Sequence, residues 1–300
     1  MLVLSQEDVA RLLDVDLLLE RLERAFIELS AGRASVPPRV AAFAPRGLLG
    51  AMPGYVDGVL AAKLVALFPE HDPSHQALIA VFDAETGTPR TVMDGTHITA
   101  VRTGASSAVA TRAFAREDAR VLAVLGAGVQ GRSHLDTVRR VRRFEEVRVA
   151  SRTVEHAQAL ADETGTSAVE SLEEAVRGAD VVCCCTHASE PVLRREWLAP
   201  GAHVNSVGAS QEGPELDDAT VRAGLLCVES RVAFSPPPAG SFELQGLDSE
   251  QAVELGEVLA GTREGRTSDD QITVYKSMGH AVEDAAAAAL VLERASSSGS

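Results

Sequence analysis

The stretch 121–134, VLAVLGAGVQGRSH, runs from apolar residues into Gly126, Gly128 and Gly131 and on into residues able to begin a helix. Gly-x-Gly-x-x-Gly between a strand and a helix suits a pyrophosphate. The first glycine permits the tight turn, the second leaves room for phosphate against the backbone, and the third lets helix and strand pack closely. Backbone N–H groups of the turn, carried by Ala127, Val129, Gln130 and their glycine neighbours, then face the diphosphate. By itself the triplet is a weak signal, because incidental glycine turns produce it too; set at the first crossover of an alternating strand and helix pattern, it reads as a dinucleotide site. About 20 residues further on, such a unit usually carries an acid that grips the ribose hydroxyls. Here the strand EVRVA ends in Ser151, Arg152 and Thr153, a guanidinium and two hydroxyls where a 2′-phosphate would lie. This favours NADP(H), leaving NAD(H) possible; the competing reading of Arg152 is a solvated charge after a strand.

Cations also occur inside apolar segments nearer the start. Lys63 stands in LAAKLVALF, where strand alternation half buries it, and a buried ammonium is costly unless an anion pairs with it. Arg102 lies among small residues in TAVRTGASSA, and Arg39 follows a stiff double proline. Together the three could gather a carboxylate. From composition alone the ordinary ion-pair reading of each outweighs the anchor reading.

The elements that must position these groups fall into two styles. Residues 5–31 carry a helical period, with Val9, Leu12, Leu13, Leu17, Leu22, Ala25, Phe26 and Leu29 as an apolar stripe, in one helix or a broken pair. From Val36 to Asp94 the signals are strands and turns, with ETGTP as a hairpin turn, and an antiparallel region is expected. After a small-residue helix, a strand and helix alternation begins near Arg116, the pattern of a parallel sheet covered on both faces. The expected fold class is therefore α/β with two domains, a Rossmann-type doubly wound parallel sheet and an α+β domain. Residues 1–115, joined by a C-terminal helix over 278–295, form the α+β domain; residues 116–277 form the dinucleotide domain, and 296–300 a disordered tail.

The whole chain bounds its partners. Its 300 residues carry a formal net charge of −15, which argues against nucleic acid or an anionic membrane surface, since both need clustered Lys and Arg. No apolar run reaches the roughly 20 residues of a membrane span, and the start lacks a cationic leader, so a cytoplasmic protein with small-molecule partners is expected. Cys183, Cys184 and Cys185 are consecutive, so on a strand they point to alternate faces and cannot converge on one metal ion. They read as buried strand filler, and no metal site is expected.

The segments PPR, GLLGAMPGY, LAAKLV, PSHQALIAVFDAETG, VMDGTHITAVRTGASSA, LGAGVQGRSH, VASRT, PGAHVNSVGAS, PELDD, ELGEVLAG and TVYKSMGHAVEDAAAA together resemble the ornithine cyclodeaminase/mu-crystallin family over nearly the whole chain. The resemblance implies a two-domain, usually homodimeric protein that binds a dinucleotide in its Rossmann domain and a small amino or imino acid between the domains. The first domain would serve substrate binding and dimerisation. It implies that Arg39, Lys63 and Arg102 anchor the substrate carboxylate, and that the loop TVYKSMGH lies near the nicotinamide. Cyclodeaminases of this family carry a Glu two residues before the Met-Pro pair and an Asp after the glycine of VGA, where this sequence has Gly50 and Ser210. Ring closure needs an acid-base group to move protons, so the resemblance points instead to the mu-crystallin branch and its NADPH-dependent reduction of cyclic ketimines.

For that chemistry Lys63, His75 and Ser210 are the candidate catalytic groups. His75 could bond the imine or pass a proton, or be a structural histidine at a strand start; Ser210 could orient substrate or water. Expected substrates are 1-pyrroline-2-carboxylate or 1-piperideine-2-carboxylate. The alternatives are ornithine cyclisation, an alanine or opine-type dehydrogenase, and an NADP(H)-linked protein that binds a small ligand without turnover.

Overall fold

The computed structural model describes residues 1–300 apart from 72, 209–212 and 299–300. Its chain divides into two units, one made of residues 1–102 with the C-terminal segment from His280, the other of residues 103–279.

In the first unit, a short strand β1 (Leu2–Leu4) leads to a broken helical pair, α1 (Gln6–Leu12) and α2 (Val15–Ser30). Ser5 and Asp8 cap α1 reciprocally, and the Asp14 carboxylate accepts from the backbone N–H groups of Asp16 and Leu17 to start α2. The buried stripe of α2 is Leu18, Leu19, Leu22, Ala25 and Phe26; Leu17, expected inside, is 40% exposed. Five further strands follow: β2 (Val40–Ala44), β3 (Gly47–Val56), β4 (Val59–Leu67), β5 (His75–Asp83) and β6 (Pro89–Asp94). They pair antiparallel in sequence, β1 joins β6 in parallel, and the order is β1-β6-β5-β4-β3-β2. The ETGTP turn joins β5 to β6 with Gly87 at φ +71°.

The sheet face that carries Ala61, Lys63 and Ile79 is buried. Against this sheet and α2 packs the alanine-rich helix α9 (Ala281–Ser298), whose small side chains allow close approach. The helix starts at Ala281 rather than 278 because Gly279, at φ +70°, interrupts it. It runs on to Ser298, so the tail expected to be disordered from 296 is helical that far. Ser296 and Ser297 donate to carbonyls of the preceding turn, which keeps the helix going; 299–300 lie outside the described residues.

The division between units falls inside α3 (Thr96–Phe114), not after it at 115. The physical reason is the small-residue stretch of that helix. A Cβ on Gly104 would lie 2.5 Å from Ser133 Oγ, and Ser107 Oγ meets buried His134 Nε2 at 2.9 Å, so α3 lies tight against α4 (Val129–Val141). Beyond it come β7 (Val121–Leu125), β8 (Glu146–Ala150), α5 (Val154–Thr164), β9 (Ser167–Ala168), α6 (Leu172–Val176), β10 (Val181–Cys184), β11 (His203–Ser206), α7 (Asp218–Val221) and β12 (Leu225–Val228). The unit closes with β13 (Val253–Glu254), α8 (Leu255–Leu259) and β14 (Thr273–Lys276).

Every pairing in this eight-stranded sheet is parallel, in the order β13-β12-β14-β11-β10-β7-β8-β9. From β7 the chain goes first toward β8 and β9, then crosses to β10 and β11, so the order reverses at β7. The crevice outside that point is where doubly wound sheets bind ligands. One expectation changes here: Thr273–Lys276, expected as part of a loop, is β14 and sits between β11 and β12. Four residues with no alternation, between polar loops, carry too little period to be recognised as a buried strand.

Candidate active site

In the second unit the three glycines do separate jobs. Gly126 follows β7 at φ +113°, and a Cβ there would lie 2.5 Å from the Cys185 carbonyl oxygen. A Cβ on Gly131 would collide with the Gly126 carbonyl, so this glycine sets how closely α4 approaches the turn. Gly128 is different. It is the N-cap of α4, it makes no side-chain cap bond, and a Cβ there would meet nothing within 4 Å. Open space over a helix start without a side-chain cap leaves its backbone N–H groups for an anion such as a diphosphate. The residues present fit a dinucleotide. Ala127, Val129 and Gln130 form the rest of this turn, and Gln130 Oε1 is buried without a hydrogen-bond partner.

The second strand ends as the sequence indicates. Ser151 is half-buried, Arg152 is exposed, and Thr153 N-caps α5 without a side-chain cap bond. A hydroxyl and a guanidinium thus stand at the start of an eleven-residue helix, a polarity that suits an anion.

Opposite the sheet's carboxyl edge the sequence carried groups it did not announce. Buried Glu215 accepts from the Thr186 backbone N–H at 2.7 Å and the Gly208 backbone N–H at 2.8 Å, tying the segments after β10 and β11. Lys276 Nζ donates to the Gly208 carbonyl at 2.6 Å and to Glu243 at 3.0 Å. Burial raises the Glu243 carboxyl, but Lys276 and hydrogen bonds from the Ser241 hydroxyl and from the backbone N–H groups of Glu215 and Glu243 outweigh it and hold the group below the ordinary carboxylate range. Glu229 holds Ser277 Oγ at 2.6 Å and the Gly279 N–H at 2.8 Å after β14. These acids, each hydrogen-bonded, tie described residues of several loops at that edge to one another. The cysteines are filler as expected: all four thiols are free and buried, and burial pushes Cys183 up to about 12. No metal-holding group of His, Cys, Asp and Glu occurs among the described residues, and no helix among them is long and apolar enough to cross a membrane.

In the first unit, the three cations converge. Lys63 on β4 is 2% exposed and Arg102 on α3 is 4% exposed. Lys63 Nζ lies 2.8 Å from one Asp284 oxygen and 2.9 Å from the other. Arg102 reaches Asp284 with Nε at 3.1 Å and Glu283 with Nη1 at 2.9 Å. Arg39, half-buried in the segment before β2, acts electrostatically on both Lys63 and Asp284. Burial, then Arg102, and to a smaller extent Arg39, push the Lys63 ammonium down to about 8 although Asp284 opposes them. Burial alone would raise the Asp284 carboxyl; Arg102 and Lys63 outweigh it and hold the group low.

The structure does not bring every expected residue here. His75 opens β5 half-buried, with Nδ1 3.1 Å from Ser74 Oγ, and it pairs with Leu67. That register sets it four residues along β4 from Lys63, about 13 Å at the rise of a strand. Ser210 lies outside the described residues. Gly50 sits on β3, where a Cβ would touch Val65, and brings no carboxylate. Sequence reasoning passed over Glu283, Asp284 and His280. Their signal was an adjacent acid pair opening an otherwise alanine-rich helix, a costly placement unless cations wait for it.

A family model described as the ornithine cyclodeaminase/mu-crystallin family matches residues 1–299. The ketimine reductase mu-crystallin of Mus musculus is 41% identical over 309 residues, covering 98% of this chain and 97% of the mouse protein. The structure of Thermococcus litoralis Delta(1)-pyrroline-2-carboxylate reductase, in complex with NADH and L-proline, matches with a TM-score of 0.93 and 37% identity over 100% of this chain and 98% of that one. An archaeal alanine dehydrogenase dimer with bound NAD matches with a TM-score of 0.89 and 32% identity, covering 100% and 97%. With a glycine cradle, a buried cation cluster and one family description that runs from the first strand into the last helix, the chain belongs to the ornithine cyclodeaminase/mu-crystallin family.

Proposed function

We propose that this protein is a nicotinamide-dependent reductase of imino acids, acting on cyclic ketimine carboxylates such as 1-pyrroline-2-carboxylate or 1-piperideine-2-carboxylate, with NADP(H) preferred. The observation that carries the reading is the convergence of Arg39, Lys63 and Arg102, where burial and the two guanidiniums push the Lys63 ammonium down even with a stabilising carboxylate at 2.8 Å. Like charges gathered in a buried place favour an anionic ligand, and a substrate carboxylate relieves their repulsion. The mouse and Thermococcus relatives, named for ketimine and pyrroline-2-carboxylate reduction, support the same substrate class.

The dinucleotide, when bound, supplies the hydride. The turn from Gly126 to Gly131 holds its diphosphate, and Ser151, Arg152 and Thr153 hold the 2′-phosphate. Arg39, Lys63 and Arg102 fix the substrate carboxylate, which orients the adjacent carbon–nitrogen double bond. Reduction places a hydride on that carbon and a proton on the nitrogen, giving the saturated amine. Lys63, its ammonium pushed down to about 8, is the cluster's proton-carrying group; His75, set farther along β5, and Ser210 remain second candidates for it.

A homodimer fits the first unit. On the sheet face opposite Lys63, Val40, Ala51, Leu64 and Leu78 pair across four strands, and Val40, Leu64 and Leu78 are 65%, 38% and 43% exposed. An apolar row of this kind on an open sheet suits a second copy, and the archaeal alanine dehydrogenase relative is itself named as a dimer.

Steady-state absorbance with each dinucleotide and a panel of imino acids tests the reading. Consumption of NADPH with the cyclic ketimines is expected. Proline and ammonia from ornithine, with the ketimines untouched, would overturn it.

A further inference from the structure

We propose that His280 is a specificity-determining wall of the substrate site, selecting imino acids that carry one carboxylate and an otherwise uncharged body. The proposal rests on the imino-acid reading and adds the residue that sets the charge of the substrate.

His280 ends the segment after β14, directly before α9. Glu283 accepts the His280 backbone N–H on one oxygen and Arg102 Nη1, at 2.9 Å, on the other. A single carboxylate therefore ties the start of α9 to the innermost arginine. Asp284, the next residue, holds Lys63 and Arg102 Nε. His280 lies among these groups: burial pushes its imidazole down to about 4, with Glu283, Arg39, Asp284 and Arg102 acting on it from α9, the segment before β2, and α3. The ring is uncharged at neutral pH. Its Nδ1 is buried without a hydrogen-bond partner, while the residue keeps part of its surface open. Buried polar atoms are normally satisfied by protein, water or ligand.

On this proposal, a ligand whose carboxylate occupies the three cations turns its remaining atoms toward this ring, the neighbouring group whose Nδ1 lacks a partner. An apolar ring or aliphatic chain tolerates the imidazole, and an imine or amine N–H can donate to it. A second carboxylate meets an uncharged ring backed by Glu283 and Asp284, while Arg39 and Arg102 already serve the first. Juxtaposed like charges at a desolvated site reject a partner strongly, here by roughly a hundredfold or more.

Calorimetry on the dinucleotide-saturated protein compares L-proline with L-aspartate, and turnover compares 1-pyrroline-2-carboxylate with iminosuccinate formed from oxaloacetate and ammonia. The wild-type chain should bind proline and reduce the cyclic substrate, discriminating against each dicarboxylate by roughly a hundredfold. His280→Arg should narrow the gap about tenfold by offering the second carboxylate a cation, and His280→Gln should keep it. Equal binding of proline and aspartate by the wild type overturns the proposal even if no variant folds. So does a folded His280→Arg that leaves the ratio unchanged, or a His280→Gln that loses it. A wild-type chain that binds the dinucleotide but neither amino acid, and reduces neither imine, overturns the underlying reading instead, and the fault then shows before any substitution is made.

Discussion

Lys63 and Asp284 are 221 residues apart in sequence and meet at 2.8 Å, each side chain 2% exposed. Neither could be buried alone: an isolated ammonium or carboxylate would give up its charge rather than remain ionised in that environment. The pair joins β4 to α9, and because Arg102 shares the same carboxylate, one acid supports two of the proposed substrate anchors.

Asp284→Asn should therefore destabilise the protein more than a surface substitution does. It leaves Lys63 and Arg102 buried with a partner lost, and the expected cost is about 3–5 kcal/mol in urea unfolding. A loss within the range of surface changes would show that the cations find another partner.

Lys63→Ala and Arg102→Ala should each lower kcat/KM for the cyclic ketimine while dinucleotide affinity holds, since both belong to the first unit and not to the glycine turn. Removing a charge-assisted hydrogen bond costs about 1.5–3 kcal/mol, roughly ten- to a hundredfold in kcat/KM. Fluorescence titration with NADPH supplies the control.

The pH profile follows from the ammonium. With Lys63 pushed down to about 8, the anchor is charged below that pH and neutral above it, so kcat/KM should fall as pH rises through about 8. For stability the sign runs the other way: a lysine whose folded-state pKa is depressed binds its proton less well than in the unfolded chain, so this group's contribution to stability increases from about pH 8 toward the ordinary lysine value of 10.5. In Lys63→Met the alkaline limb of the activity profile should vanish.

Arg152→Asp should weaken NADPH binding by about 1.5–3 kcal/mol and leave NADH binding nearly unchanged, because it removes a phosphate partner and adds repulsion. Equal NADPH affinity in the variant would remove Arg152 from the proposed role.

Leu64→Glu should convert a dimer to monomers in light scattering, since it puts a charge in the middle of the apolar row on β4. Should the variant stay dimeric, the contact lies on another surface.

The sequence by itself was enough for the doubly wound class of the second unit and for its glycine turn. Gly126, Gly128 and Gly131 follow a strand and open a helix, and a turn and its adjoining elements are all local, so spacing along the chain carries the information. The helices over 129–141 and 154–164, the helical start and the ETGTP hairpin were legible for the same reason, whereas the break that makes the start a pair was left open. The cations were visible as charges out of place in apolar segments. What the chain could not state in one dimension was their company. Only the tertiary structure brought Glu283, Asp284 and His280 to Lys63 and Arg102, drew α3 onto α4, and inserted β14 between β11 and β12. Each of these depends on contacts between distant segments, where burial raises the stakes of every unpaired charge and a short strand is defined by its neighbours instead of its own period.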